Sequence, residues 1–166
     1  MTRIGLLSDT HGFVNPTLFN FFKDCHTIWH TGDIGSTDVV DELKLIAPVA
    51  AVFGNIDDWE IRNLFPEFNI FQCEEVKVML THIGGYPPRY YPSIIKKLEE
   101  EKPALFACGH SHILKVMYDE KHSLLHVNPG AAGRQGMHHV STAVRFIIDG
   151  KEIKELEILE MKKYAN

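Results

Sequence analysis

The stretch that decides the fold is Arg3-Ile-Gly-Leu-Leu-Ser-Asp-Thr-His11. Its apolar part is too short for a helix and is closed abruptly by polar residues, so it predicts a short buried strand. The strand leads directly into Asp9 and His11, two polar side chains that stand two positions apart. An apolar strand followed at once by polar residues recurs at four later places in the chain.

Helices and strands alternate in the first third of the chain. Asn15 and Pro16 predict the start of a helix, because Asn caps helix ends and Pro suits a first turn. Residues 27–30 predict a strand, Ser36 predicts the cap of a second helix, and residues 49–53 predict another strand. This alternation is typical of an α/β fold.

The rest of the chain is predicted to be mostly β-structure. A short helical piece covers 58–64, and a longer helix begins at Pro92 and ends at Lys102-Pro103. Strands are predicted at 68–73, 76–81, 104–108, 115–118, 124–127, 143–148 and 152–159, the last four as an antiparallel meander. Because no linker or repeat divides the sequence, we expect one domain over residues 1–166.

Composition excludes several classes of protein. The chain has 166 residues, 45% hydrophobic and 23% charged, with 17 Lys and Arg against 22 Asp and Glu, a formal charge of −5. This balance argues against an extended nucleic-acid surface. No apolar run is long enough to span a membrane and no signal-peptide pattern is present, so a cytoplasmic protein is expected. Three separated cysteines support neither a disulfide framework nor a zinc knuckle.

Five predicted strands end in residues that bind metals or form turns. In open α/β sheets the carboxyl ends of the strands meet in one crevice, so these residues are expected to converge. The five strand ends are Ser8-Asp-Thr-His11, His30-Thr-Gly-Asp33, Gly54-Asn-Ile-Asp57, Thr81-His82 and Gly109-His-Ser-His112.

Taken together, the five strand ends supply oxygen and imidazole nitrogen ligands and no sulfur ligand. The candidate ligands are Asp9, His11, Asp33, Asn55, His82, His110 and His112. Such a set suits manganese, iron, nickel or zinc rather than calcium, and seven ligands suit two metals that share a carboxylate. Each residue alone has a simpler interpretation as a turn or cap residue. The five other histidines outside the strand ends, at 26, 122, 126, 138 and 139, are expected to be structural.

The ordered set of motifs resembles the calcineurin-like metallophosphoesterases, in particular their small bacterial and archaeal phosphodiesterase branch. The family pattern is D-x-H, G-D, G-N-H-D/E, a strand-end His and G-H-x-H, and the motifs cover about two-thirds of the chain. The resemblance implies a four-layer α/β/β/α sandwich, in which two mixed β-sheets are flanked by helices.

The resemblance also implies residue roles. Asp9, His11, Asp33 and His112 would hold one divalent ion, and Asp33 would bridge to a second ion. The second ion would be held by Asn55, His82 and His110. Mn²⁺ is the expected metal, with Ni²⁺, Fe²⁺, Zn²⁺ and Mg²⁺ as alternatives. The implied reaction is attack of a metal-bridging hydroxide on a small phosphodiester, with the metals and Asn55 stabilising the developing charge.

One position departs from the family pattern. Ile56 stands where the family has the His of its GNH motif, a residue thought to protonate the leaving oxygen or to help hold the phosphate. An isoleucine cannot donate a proton, and general acid catalysis contributes roughly 10²- to 10⁴-fold. Substrates with poor leaving groups should therefore suffer most. The small phosphodiesterase branch also often lacks this His, so the resemblance favours diesters over monoesters. Asp57, which follows, is expected to cap the next helix.

Other functions and roles stay open. A catalytically weak scaffold of the same fold, like the family's retromer subunit, is the main alternative, and a phosphomonoesterase or a nuclease is another. Arg134 and Arg89, in loops near the crevice, are candidate phosphate contacts. The apolar segment 65–71 fits the core or the surface of a homo-oligomer, and we prefer the core.

Overall fold

The computed structural model describes residues 1–163, which form two five-stranded β-sheets packed face to face. The helices are α1 (Thr17–Phe22), α2 (Thr37–Lys44), α3 (Trp59–Leu64) and α4 (Pro92–Glu101). The strands are β1 (Thr2–Leu7), β2 (Thr27–His30), β3 (Val49–Ala51), β4 (Phe68–Cys73), β5 (Val76–Thr81), β6 (Gly85–Tyr86), β7 (Arg89–Tyr90), β8 (Leu105–Ala107), β9 (Leu114–Asp119), β10 (Leu124–Pro129), β11 (Val140–Asp149) and β12 (Glu152–Lys162).

Both sheets are mixed, with parallel strands toward the middle. The first sheet has the order β12-β11-β1-β2-β3, in which β1, β2 and β3 run parallel. The second has the order β4-β5-β8-β10-β9, in which β5, β8 and β10 run parallel. Each sheet therefore presents a row of parallel carboxyl ends, as the alternation of helices and strands predicts.

Three hydrophobic layers hold the four structural layers together. Ile4 and Trp29 of the first sheet pack between the sheets against Val78 and Leu105 of the second. Outside the first sheet, α1 and α2 bury residues such as Leu18. Outside the second sheet, α4 buries a further set of apolar residues: Ile94, Leu98, Met79 and Phe106. The order helix, sheet, sheet, helix is the α/β/β/α sandwich that the sequence predicts.

The predicted meander of the last four strands is wrong. Strands β9 and β10 pair antiparallel in the second sheet, whereas β11 and β12 pair antiparallel in the first. Between them the chain turns at Gly130 with φ of 73°, and the N–H of Ala132 donates to the carbonyl of Ser8. Because this segment bonds to the end of β1, the chain crosses from one sheet to the other.

The apolar segment 65–71 packs into the core. Phe65 contacts the layer under α1 and α2, Phe71 the layer between the sheets, and Phe68 and Ile70 the layer under α4. All four side chains are half-buried. Within residues 1–163, no helix has the length and apolar character needed to cross a membrane.

Candidate metal centre

The seven predicted ligands come together at the carboxyl ends of five strands. Asp9 and His11 follow β1, Asp33 follows β2, and the remaining four follow β3, β5 and β8, namely Asn55, His82, His110 and His112. The six aspartates and histidines form two groups, in each of which one ligand atom per residue lies within 4.8 Å of the others. The first group is Asp9, His11 and His112, and the second is Asp33, His82 and His110.

Asp33 lies between the two groups. Its Oδ2 is 3.5 Å from His11 Nε2 in the first group, and its Oδ1 is 3.2 Å from His82 Nε2 in the second. Its carboxylate is 4% exposed, so it is held almost entirely by protein atoms. A carboxylate with one oxygen toward each group has the geometry of a bridging ligand.

The second group places acceptor atoms opposite one another. His82 Nδ1 lies 2.8 Å from the carbonyl of Thr31, to which it donates, so the neutral ring presents a lone pair at Nε2. That Nε2 lies 3.0 Å from Asn55 Oδ1, and His110 Nδ1 lies 3.1 Å from the same oxygen. The Asp33 oxygen faces the same atoms, so the lone pairs of these oxygen and nitrogen atoms point toward one another. A cation bound among them would be coordinated by all of them.

The first group has the same character. Asp9 Oδ1 is buried and receives no hydrogen bond from any described residue, although His112 Nε2 lies 3.1 Å away. A buried carboxylate oxygen without a donor is costly unless a cation binds it. The donor set and this orphaned oxygen therefore fit a divalent ion in each group.

The charges of the centre shift its pKa values in opposite directions. Burial alone would raise the pKa of Asp9 and Asp33, but the neighbouring His112 and His82 lower both below the usual range. Burial would lower the pKa of His82, but Asp33 and Asp9 raise it. Burial and the nearby His82 lower the pKa of His110. The carboxylates are thus kept ionised, as ligands must be.

The backbone of the centre is strained. Five of the seven ligands have positive φ angles between 47° and 70°, where side chains other than glycine are uncommon. Such residues cost of order 1–3 kcal/mol each and cluster at functional sites. They are Asp9, His11, Asp33, His110 and His112.

Two glycines allow the strand ends to approach closely. A Cβ at Gly54 would collide with Asp33 Oδ1, and a Cβ at Gly109 would collide with Ser8 Oγ and lie 2.7 Å from Asp9 Oδ2. The Gly-Asn and Gly-His steps of the motifs are therefore required by packing, because any side chain there would push ligands apart.

Asp57 supports the centre and does not cap a helix. Its carboxylate accepts the backbone N–H groups of Ile34, Gly35 and Gly54 at 2.7 to 3.1 Å, and so ties the turn after β2 to the turn after β3. The cap of α3 is the next residue, Asp58, which accepts from two backbone N–H groups of that helix. The predicted capping role of Asp57 is thus wrong by one residue.

His30 is a second supporting residue that the sequence did not single out. Its Nδ1 accepts the N–H of Gly32, so the neutral ring donates from Nε2 to Thr10 Oγ1 at 2.9 Å. Thr10 donates in turn to the carbonyl of Ile34. Complete burial lowers the pKa of His30 to about 3. The neutral ring joins the Asp9 turn to the Asp33 turn.

The remaining candidates lie around the centre. The Arg134 guanidinium stands 4.3 Å over the ring of Phe13, two residues beyond His11. Arg89 is exposed on the hairpin β6–β7, whose Tyr90 packs on Phe106 behind the second sheet. Ile56 is 47% exposed, and its N–H donates to Asp33 Oδ1.

Comparison with known proteins gives both family and fold relatives. The calcineurin-like phosphoesterase superfamily domain matches residues 2–151. A probable metallophosphoesterase of Methanothermobacter thermautotrophicus is 33% identical over 135 residues, which cover 77% of this chain and 76% of the relative.

Two solved structures share the fold at lower identity. An archaeal phosphodiesterase superposes with a TM-score of 0.72 at 21% identity, over 95% of this chain and 99% of that one. Vps29 of Entamoeba histolytica, complexed with zinc, superposes with a TM-score of 0.75 at 15% identity, over 98% and 99% of the two chains.

Proposed function

Because the chain belongs to the calcineurin-like phosphoesterase superfamily, we propose that it is a phosphodiesterase that hydrolyses small phosphodiesters with two divalent cations, Mn²⁺ first among them. The observation that carries this is the convergence of ligand atoms in two groups, with Asp33 facing both. Asp9, His11, Asp33 and His112 would hold one cation. Asp33, Asn55, His82 and His110 would hold the other.

The protein's own residues position and charge this centre. Bound cations would supply Lewis-acid activation of water at neutral pH and positive charge for the phosphoryl oxygens. Asp33 contacts both groups of ligands and so fixes their positions relative to each other. Asn55 directs its Oδ1 to the histidines. Its Nδ2 has no acceptor among residues 1–163 and donates to a phosphoryl oxygen as charge develops.

The preference for diesters follows from Ile56. The apolar side chain is exposed directly beside Asn55 and has no proton to give to a leaving oxygen. A diester with an acidic leaving group is affected least by the absence of a general acid. The fold relative described as an archaeal phosphodiesterase supports the same direction. Arg134, held on Phe13 near His11, is proposed as a further phosphate contact.

Metal reconstitution tests this proposal. We would strip the protein with a chelator, add Mn²⁺, count the bound ions per chain and compare hydrolysis of bis-p-nitrophenyl phosphate with p-nitrophenyl phosphate. We expect about two ions per chain and faster turnover of the diester. Asp33→Ala should abolish both the binding of two ions and the turnover of the diester. Asp41→Ala, which removes an exposed carboxylate of α2, should change neither the binding nor the turnover.

The other outcomes point to the alternatives. Faster turnover of the monoester would contradict the diester preference and indicate a phosphomonoesterase. Two bound ions without turnover of either substrate would indicate a binding scaffold. Adding Ni²⁺, Fe²⁺, Zn²⁺ or Mg²⁺ in place of Mn²⁺ ranks the metals. A cytoplasmic location, the lack of an extended nucleic-acid surface and a homo-oligomer stay predictions.

A further inference from the structure

A cavity of about 330 Å³ opens beside the second ligand group. Asn55 and His82 belong both to its wall and to the candidate metal centre. The rest of the wall comes from residues beside those two motif positions, such as Phe53 and Ile83, and from α3, the start of β4 and the start of α4. A group bound here would therefore be attached to a phosphate held at the centre.

The cavity is walled largely by aromatic and aliphatic side chains. Phe53, Phe68 and Tyr91 supply rings, and Ile83 and Ile94 supply aliphatic surface. Arg62 and Lys97 lie over the rings of Phe53 and Phe68 at 4.5 and 5.4 Å, whereas Tyr91 is 51% exposed, so Tyr91 offers the open ring. Flat apolar walls of this kind suit a planar group that stacks on them.

Polar groups line the same cavity without protein partners. Within residues 1–163, the carboxylate of Glu67 and the hydroxyl of Ser93 make no hydrogen bond or salt bridge. Arg62 uses Nε and Nη2 on the carbonyls of Asp57, Gly54 and Asn55, and this leaves Nη1 uncommitted. A ligand that fits must offer both hydrogen-bond donors and acceptors.

These features together select a class of substrate. The volume is at the small end of ligand sites, large enough for one ring system with a sugar. Glu67 and Arg62 bring opposite charges to the cavity, so together they offer no net positive charge for a second phosphate. A nucleoside combines a planar ring with hydroxyl and amino donors and carries no charge. We propose that the cavity binds the nucleoside of a small nucleoside-containing phosphodiester, a substrate class that rests on the proposed phosphodiesterase function.

Calorimetric binding tests the cavity independently of turnover. We would titrate Mn²⁺-loaded protein with adenosine 5′-monophosphate, ribose 5-phosphate and inorganic phosphate. The first two carry the same phosphate on the same sugar, so their ratio reports the base alone. We expect the nucleotide to bind about tenfold more tightly than ribose 5-phosphate.

Variants place the effect in the cavity. Tyr91→Ala should remove most of the tenfold advantage, and Glu67→Gln should reduce it, while inorganic phosphate binds both variants as it binds the wild type. Tyr118→Ala, which removes an equally exposed tyrosine on β9, should keep the full advantage.

Two results would overturn the proposal. Equal binding of the nucleotide and ribose 5-phosphate would show that the base finds no site, whatever the turnover. An advantage that survives in both cavity variants would place the base elsewhere. Hydrolysis of bis-p-nitrophenyl phosphate, measured on the same samples, reports the proposed function separately. Turnover without a base preference refutes the cavity only, and a base preference without turnover refutes the enzyme only.

Discussion

Aspartate and histidine meet at two places in this molecule, with opposite results. In the candidate metal centre, Asp33 faces His82 at 3.2 Å. Behind the second sheet, Asp119 accepts a hydrogen bond from His122 Nδ1 at 2.7 Å, within a group that we call the outer cluster (Tyr90, Asp119, His122 and His126). The first pair is buried and the second is nearly so, with side chains 10% and 9% exposed. Residue types alone do not distinguish them.

The difference lies in where each imidazole places its proton. His82 donates from Nδ1 to the carbonyl of Thr31 and so turns a lone pair toward Asp33. His122 instead points Nδ1 at Asp119, and the proton on Nδ1 makes a hydrogen bond to that carboxylate. In the centre, a backbone carbonyl takes one ring proton of His82 and leaves the other ring nitrogen facing the carboxylate, whereas the Asp119–His122 contact is an ordinary hydrogen bond.

Removing one carboxylate from each place should give the largest contrast. Asp9→Asn takes a charged ligand from the first group, and we expect hydrolysis of bis-p-nitrophenyl phosphate to fall about 10³-fold, the loss of several kcal/mol of charge stabilisation. Asp119→Asn should change the rate less than threefold. The measurement is kcat/KM with Mn²⁺ in excess. Equal losses in the two variants would mean that the comparison describes stability alone.

The support of the centre should give the next largest effect. Thr10→Val keeps the shape of the side chain but removes the hydroxyl that joins His30 to the carbonyl of Ile34. Loss of such outer support typically costs 10- to 100-fold in metal affinity, and we expect Mn²⁺ to bind more weakly by that factor in calorimetry. Thr27→Val removes an exposed hydroxyl of β2 and serves as the control. Unchanged affinity in Thr10→Val would show that His30 has no part in positioning ligands.

The outer cluster should respond to pH where a ligand would not. His126 is buried between Tyr90 and Phe106, and both its ring nitrogens lack partners among the described residues. Burial lowers its pKa to about 4. The unfolded chain, with a pKa near 6.5, therefore binds more protons than the folded one between pH 4 and 6.5, and the protein loses stability as pH falls through that window.

Replacing that histidine should flatten the pH dependence. His126→Phe removes the titrating group, so the free energy of unfolding should fall about 2 kcal/mol less than in the wild type between pH 7 and pH 5. Urea unfolding of chelated protein at both pH values measures this, and the other histidines contribute equally to both proteins. Equal falls in the free energy of unfolding of the two proteins would show that His126 titrates normally and is not buried in the cluster.

The sequence predicts the centre well because its signal is local. Each ligand directly follows an apolar strand, and parallel strands bring their carboxyl ends to one edge whatever the rest of the chain does. The structure places all seven predicted ligands there. The alternation of helices and strands predicts an α/β fold in the same way, and the resemblance to the family implies the two mixed sheets.

What the sequence could not predict depends on distant partners. Asp57 resembles a helix cap in the sequence. Only the fold shows that its carboxylate accepts hydrogen bonds from the N–H groups of Ile34 and Gly35, more than twenty residues earlier. The crossing between β10 and β11 depends on hydrogen bonds to the end of β1. The cavity beside Asn55 joins the motif residues Asn55 and His82 to side chains of α3, β4 and α4, which only the fold brings together.

The smallest expected effect on activity comes from adding an imidazole at the centre whose proton is available for donation. In Ile56→His the new ring would lie beside Asn55 at a position that is 47% exposed, where it could hold a proton and give it to a leaving oxygen. We expect hydrolysis of phenyl phosphate, whose leaving group is poor, to rise about tenfold relative to bis-p-nitrophenyl phosphate.

The pH dependence separates proton donation from binding. The gain should be larger at pH 6 than at pH 8, because the donor must be protonated and an ordinary histidine loses its proton near pH 6.5. Ile56→Gln offers hydrogen bonds without a titrating proton and should show no such gain. If glutamine raised the monoester rate as much as histidine, the position would bind phosphate without protonating it. If neither variant changed the ratio, the absence of an acid at position 56 would not be what directs this site to diesters.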